Sequence, residues 1–203
     1  SAQPPTGSSS QMLRISSRSA PASTSAPRAM SPAIPEKQWN QASEPVPPEA
    51  VTHVFLSHHH PDHTINIALF PNAEVVDFWA RYRGDEWLDH EGDGHRLSPS
   101  AELWLTPGHT EEDASLIIEA DDAVYATTHL WWHSDRTPAI DPYSPDQALL
   151  DFHRERVLAV ADIVIPGHGA LLDREGAQDL LLGTARALRY LEDEVVRRLN
   201  AGQ

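Results

Sequence analysis

The chain has 203 residues, 40% of them hydrophobic and 22% charged, no cysteine and a net charge of −15. That is enough apolar material for one buried core, so one domain with a tail is expected. The lack of thiols excludes disulfides, thiolate metal sites and a cysteine nucleophile. The acidic balance disfavours nucleic acid as a partner, because it repels phosphate backbones. No run of 18 apolar residues argues for a membrane span, and no charged-then-apolar leader opens the sequence, so no membrane association and a cytoplasmic location are expected.

Composition changes near residue 40. The first 40 residues are rich in Ser and Pro and carry Arg14, Arg18, Arg28 and Lys37 against the single acid Glu36, a net +3, which leaves −18 for the remainder. Their apolar residues (Met12, Leu13, Ile15, Met30, Ile34, Trp39) follow neither a strand nor a helix period. Such a stretch cannot bury enough surface to offset its ordering entropy, so 1–44 reads as a disordered or loosely ordered segment. An Arg- and Ser-rich transit peptide is the weaker alternative, since the amphipathic period is missing.

Residues 45–203 read as the folded domain. Pro45, Pro47 and Pro48 punctuate a loop, and 51–57 (VTHVFLS) is a short buried strand. A short helix over 64–70 and a strand over 73–78 follow. Residues 79–87, with Trp79, Arg81, Tyr82, Arg83 and Trp87, form either a lid-like loop or a hairpin with solvated arginines. Strands are expected over 102–106, 114–119 and 123–127, a helix over 145–161, a strand over 162–166 and a long amphipathic helix over 180–199, where Leu181, Leu188 and Val195 lie seven apart. Strands alternating with helices give an α/β layered domain.

Histidine is the anomaly, with 12 in 203 residues and four of them between 58 and 63. His58, His60, Asp62 and His63 form H-x-H-x-D-H at the end of the first strand. Extended residues alternate sides, so His58 and His60 point the same way and can share a metal, while His59 points away. The turn at Pro61 redirects Asp62 and His63 toward a second position. Imidazole and carboxylate are the ligands zinc accepts when no thiolate is available. Thr106-Pro107-Gly108-His109 and Ile165-Pro166-Gly167-His168-Gly169 each present a further histidine where a strand stops, the place where open α/β sheets collect ligands. A lone histidine after a strand is ordinarily a loop residue, and a histidine run can be a purification remnant. This run is internal, follows a strand and carries an aspartate, which favours a structured metal site.

H-x-H-x-D-H followed by T-P-G-H and P-G-H-G resembles the metallo-β-lactamase fold hydrolases, over about residues 50–172. The stretches 69–73, 103–109 and 156–169 look most like the branch named metallo-β-lactamase domain-containing protein 1. The resemblance implies an αββα sandwich and a dinuclear zinc site, with His58, His60 and His109 on one ion and Asp62, His63 and His168 on the other. One or two zinc ions per chain are expected, another divalent metal being the alternative. The family's bridging aspartate is missing: where a Gly-Asp pair is expected, this chain has Thr128-His129. A neutral imidazole cannot bridge two ions as a carboxylate does, so His129 binds one metal, hydrogen-bonds the bound water or lines the pocket. The family's first strands also have no counterpart in residues 1–40, so the fold either lacks them or borrows them from a partner chain, as in a homodimer.

The implied chemistry is hydrolysis by a metal-bound hydroxide, since zinc lowers the pKa of a bound water to about 7. Asp62 would orient the nucleophile and carry a proton to the leaving group, with His129 as the second candidate for that transfer. Trp131 and Trp132 are candidate pocket walls and Arg136 a candidate partner for an anionic substrate; core packing of both tryptophans is the equal alternative. A small ester, thioester, lactone or lactam is the favoured substrate class. A phosphodiesterase or ribonuclease on the same platform, and a catalytically impaired metal-binding interaction protein, are the alternatives.

Overall fold

The computed structural model describes residues 46–183. The readings of 1–44 and of 184–199 lie outside the described residues. Two sheets face one another. The first has the order β1 (His53–Phe55), β2 (Glu74–Val76), β3 (Arg81–Arg83) and β4 (Glu86–Leu88). The second has the order β10 (Leu172–Asp173), β9 (Ile163–Ile165), β8 (Val124–Thr127), β7 (Ala114–Glu119), β6 (Ala101–Leu105) and β5 (His95–Ser98).

Side-chain alternation builds the layers. In β7, Leu116 points between the sheets with Phe55, Val76, Ala101 and Leu103, while Ile117 points outward. There Ile117 meets Ala126, Val164, Leu150 and Val157, the last two from helix α2 (Gln147–Val160). In β1, Phe55 enters the inter-sheet core and Val54 packs on the outer face with Leu56, Phe70 and Ala73. That outer face is covered by the segment holding the one-turn helix α1 (Pro61–Thr64) and the 3-10 turn Ile67–Leu69. The result is an αββα sandwich. Among the described residues β1 lies at an edge of its sheet, where the expected first strands would pair.

The helix expected over 64–70 is instead two turns, because Pro61 at the first helical position starts the helix early and Asn66 (φ −100°, ψ 7°) interrupts it. Residues 81–88 form the hairpin rather than the lid. β5 is not among the expected strands: its polar His-Arg-Leu-Ser sits on a sheet edge with a single partner strand and needs no apolar alternation. The helix expected over 180–199 is present in its described part, 180–183, and starts earlier than expected, at residue 174.

Strand direction places the site. β6 is antiparallel to β7, β7 is antiparallel to β8, and β8 is parallel to β9. So β6, β8 and β9 all end on one side of the molecule. β1 ends there too, because the Ser57 carbonyl just beyond it accepts the N–H of Ala114, the first residue of β7, at 2.7 Å.

Candidate metal centre

Four strand ends deliver the side chains. β1 runs on through Ser57 to His58. Pro61 confines the preceding His60 to extended backbone (φ −63°, ψ 144°) and opens α1, which sets Asp62 and His63 on its first turn. β6 leads through Thr106-Pro107-Gly108 to His109, β8 through Thr128 to His129, and β9 through Pro166-Gly167 to His168. A buried hydroxyl chain lies behind them: Thr106 Oγ1 is 2.8 Å from Ser115 Oγ, which donates to Thr128 Oγ1 at 2.7 Å. It ties the ends of β6, β7 and β8 together, so His109 and His129 project from a braced floor.

The rings converge on His58. Its centroid is 4.5 Å from that of His60, 4.4 Å from His63, 5.3 Å from His109 and 4.5 Å from His129. His129 is also 4.6 Å from His109, 4.8 Å from His63 and 5.5 Å from His168. Two trios bring a donor nitrogen each to within 4.8 Å of one another: His58, His109 and His129, and His63, His129 and His168. His129 belongs to both. His60 Nδ1 is 3.3 Å from His109 Nε2, beside the first trio. Asp62 Oδ2 lies 3.5 Å from His63 Nε2 and 3.4 Å from His168 Nε2, beside the second. All six expected ligands are therefore in one cluster, with His129 at its centre.

This donor set fits a metal ion. His58 Nε2, both ring nitrogens of His63 and His129 Nδ1 are buried without a hydrogen-bond partner. Each orphaned polar atom costs about 1–3 kcal/mol in a folded protein, so several in contact indicate a group that completes them. Burial, helped by the neighbouring imidazoles, holds His58 and His129 far below the usual histidine range. Burial also lowers His63 to about 4, against the opposing pull of the Asp62 carboxylate. At neutral pH these rings are therefore uncharged and keep the lone pair a metal requires. Six imidazoles with one carboxylate at the rim suit zinc or a similar divalent cation and are too poor in oxygen for calcium or magnesium.

Contacts behind the rings orient them. Ser57 Oγ is 3.1 Å from His58 Nδ1, with the buried Asp113 carboxylate 4.0 Å from the same nitrogen. Burial pushes Asp113 up to about 7, although the N–H and hydroxyl of Thr110 donate to it. His109 Nδ1 is 2.8 Å from Asp141 Oδ2. His59, between two of the ligands in sequence, instead reaches Asp77 Oδ2 at 2.9 Å.

The candidate substrate residues divide. Trp131 is fully buried, donates from Nε1 to the Ala177 carbonyl and belongs to the core under α2, so it is not a pocket wall. Trp132 is half-buried with its ring 5.3 Å from that of His109. Arg136 is exposed and pairs with the surface acid Asp135 at 3.3 Å, not with a member of the cluster. Tyr143, 67% exposed, stands 5.6 Å from the rings of both His109 and Trp132 at the mouth of the site.

The model of the metallo-beta-lactamase superfamily matches residues 30–196. The chain belongs to the metallo-β-lactamase superfamily. Among curated proteins, metallo-beta-lactamase domain-containing protein 1 of Homo sapiens is 36% identical over 137 residues, 63% of this chain and 51% of that protein. The protein of the same name from Xenopus laevis is 33% identical over 131 residues, 61% of this chain and 56% of its own. The chain thus spans about half the length of the curated relatives it matches. A probable metal-dependent hydrolase from Staphylococcus aureus shares the fold, with a TM-score of 0.50 at 15% identity, over 60% of this chain and 56% of that one.

Within this superfamily fold of metal-dependent hydrolases, the chain carries a histidine cluster able to hold a metal. Three residues around it, Asp113, Asp141 and Tyr143, carry roles that the motifs do not announce, as does Arg154, which bonds the Pro138 and Ala139 carbonyls in the loop leading to Asp141. Asp113 alone had a usable signal, an acid four residues after His109 and immediately before a strand. Among the described residues, no helix is long and apolar enough to cross a membrane.

Proposed function

We propose that the protein is a zinc-dependent hydrolase of a small ester, thioester, lactone or lactam. The observation that carries the reading is the set of buried, partnerless imidazole nitrogens on His58, His63 and His129 at the converging strand ends. Zinc bound there supplies Lewis acidity and a water acidified to a pKa of about 7. His58, His60 and His109 would hold it on one side, and Asp62, His63 and His168 on the other, with His129, which stands in both trios, completing one of the two sets. Asp62, half exposed beside His63 and His168, is positioned to orient a water and pass a proton to the leaving group. His129 is only 5% exposed, so it acts as a donor to the cation rather than exchanging protons with solvent. Trp132 and Tyr143 offer an apolar lip for the non-reacting part of a small substrate.

Zinc content of protein purified without chelator should lie between about one and two equivalents per chain. The same preparation should hydrolyse at least one of nitrocefin, an acyl-homoserine lactone and a glutathione thioester in preference to bis-p-nitrophenyl phosphate, given the −15 charge. Less than roughly half an equivalent of metal would sink the reading. Full metal with no turnover on any substrate would favour the second reading, a metal-binding interaction protein, to which the imidazole at position 129 lends support.

The same imidazole sets an expectation for stoichiometry. A neutral donor that can serve one of two dications leaves their repulsion less compensated than a bridging carboxylate would, so the second ion should bind more weakly than the first. His129→Asp should raise second-metal occupancy in calorimetric zinc titration. Unchanged stoichiometry and affinity would remove His129 from the ligand set.

A further inference from the structure

We propose that Asp141 is a positioning residue for the metal centre: it locks His109 in the tautomer whose Nε2 is free to ligate, and it pins Trp132 as a fixed wall beside that ligand. The inference rests on the zinc reading above and adds a residue outside the ligand motifs.

The hydrogen-bond geometry around the carboxylate carries it. Asp141 Oδ2 lies 2.8 Å from His109 Nδ1 and accepts from Trp132 Nε1 at 2.7 Å, while Oδ1 accepts the Tyr143 N–H at 2.8 Å. Trp132 Nε1 is also 3.1 Å from His109 Nδ1, so two assignments of the histidine proton have to be weighed. An indole N–H only donates, and an ionised carboxylate only accepts. If His109 Nδ1 carried a lone pair, that pair would face the Asp141 oxygen at 2.8 Å and repel it. The consistent arrangement has both N–H groups donating to Oδ2. His109 then carries its proton on Nδ1, and Nε2, which points toward His60 Nδ1, keeps its lone pair for a metal. A carboxylate behind a ligating histidine fixes the tautomer and the ring orientation and strengthens the donor.

The carboxylate is itself held in place, as a positioning group must be. Its side chain is fully buried. Its Oδ2 accepts from the Trp132 indole N–H and its Oδ1 from the Tyr143 N–H, contacts that suit an accepting carboxylate. The Asp141 N–H donates to Gln147 Oε1 at 2.9 Å, and Gln147 Nε2 donates to the Ala139 carbonyl at 3.0 Å. Arg154, buried on α2, donates to the carbonyls of Leu130, Pro138 and Ala139 at 3.0–3.1 Å. The loop between β8 and α2 is thus clamped by its own following helix, and Asp141 is the point at which that clamp reaches a ligand.

The test compares wild type, Asp141→Asn, Asp141→Ala and Trp132→Phe by zinc affinity in competition with a chromophoric chelator. The visible absorption of the cobalt(II)-substituted protein and the melting of the metal-free protein are recorded alongside. Asn keeps the volume and one acceptor, but its amide can also donate, which admits the His109 tautomer with the proton on Nε2. Asp141→Asn should therefore lose about 10–100-fold in zinc affinity and show altered cobalt bands, while the metal-free form melts near wild type. Trp132→Phe leaves the His109 contact in place and should lose less than Asp141→Asn. Should Asp141→Ala fail to fold, the isosteric Asn variant still decides. Wild-type affinity and cobalt spectrum in Asp141→Asn would overturn the inference and leave the zinc reading standing. Failure of the wild-type protein to take up zinc would overturn both.

Discussion

His58→Ala is expected to leave a folded protein that retains less than roughly half an equivalent of zinc and has no measurable hydrolase activity, whereas the adjacent His59→Ala keeps both. His58 shares the middle of the cluster with His129: four other imidazoles pack around its ring, and its Nε2 has no hydrogen-bond partner among the described residues. Its loss should lower zinc affinity by more than the roughly 100-fold that marks the upper end for losing an outer partner of a ligand. The fold should tolerate the change. Truncation opens a cavity, which destabilises, but it also removes a buried unsatisfied nitrogen that costs about 1–3 kcal/mol. His59 has the opposite character: its ring is substantially exposed and its bond is to Asp77 Oδ2. Asp77 keeps donors on its other oxygen from Trp79 N, Ala80 N and Tyr82 Oη. His59→Ala should therefore cost about 1 kcal/mol of stability and no metal. Elemental analysis and thermal melting of the two variants side by side give the answer. Equal zinc loss in both would mean the facing of this strand end is reversed.

The contrast between these neighbours was readable from the sequence because it depends only on extended-chain alternation. The same holds for the ligand motifs, each of which is local: a strand, a turn residue and a histidine. What could not be read is what comes from elsewhere in the chain. Asp141 stands 32 residues beyond the histidine it touches, and Arg154 approaches the same loop from a helix. Trp131 and Trp132 are indistinguishable in sequence. Alternation sends one ring under α2 and the other toward His109, and which goes where depends on strand register. β5 and the β3–β4 hairpin are ambiguous or silent because β5 and β4 are sheet edges and the inner strand β3 is the polar Arg-Tyr-Arg, so none carries an apolar alternation. The two N-terminal expectations, disorder and borrowed strands, concern residues outside the described part of the chain.

Gly167 shows how a residue legible as one thing serves as another. In P-G-H-G it reads as turn punctuation, yet it is not among the glycines with positive φ, so its backbone does not require glycine. Its requirement is space. A Cβ at position 167 would lie 2.2 Å from His129 Cδ2 and 2.5 Å from His129 Nε2, far inside contact distance. Neither side can retreat easily. The Gly167 N–H is held by the Trp131 carbonyl at 2.8 Å, and that of His168 by Trp132 at 2.8 Å. The His129 ring is hemmed in by those of His58, His63 and His109. Gly167→Ala must then push the imidazole into the cluster or part β9 from the segment after β8. Overpacking of this kind costs about 1–3 kcal/mol, and the displaced ring should weaken zinc binding at the same time. A double-mutant cycle isolates the cause: in a His129→Ala background the clash has no partner, so Gly167→Ala should become nearly neutral, a coupling of about 1 kcal/mol or more. Melting of the metal-free proteins measures the stability terms, and zinc competition measures the site. Wild-type stability and zinc affinity in Gly167→Ala would show that His129 does not rest against Gly167, and its place at the centre of both histidine trios would fall with that contact.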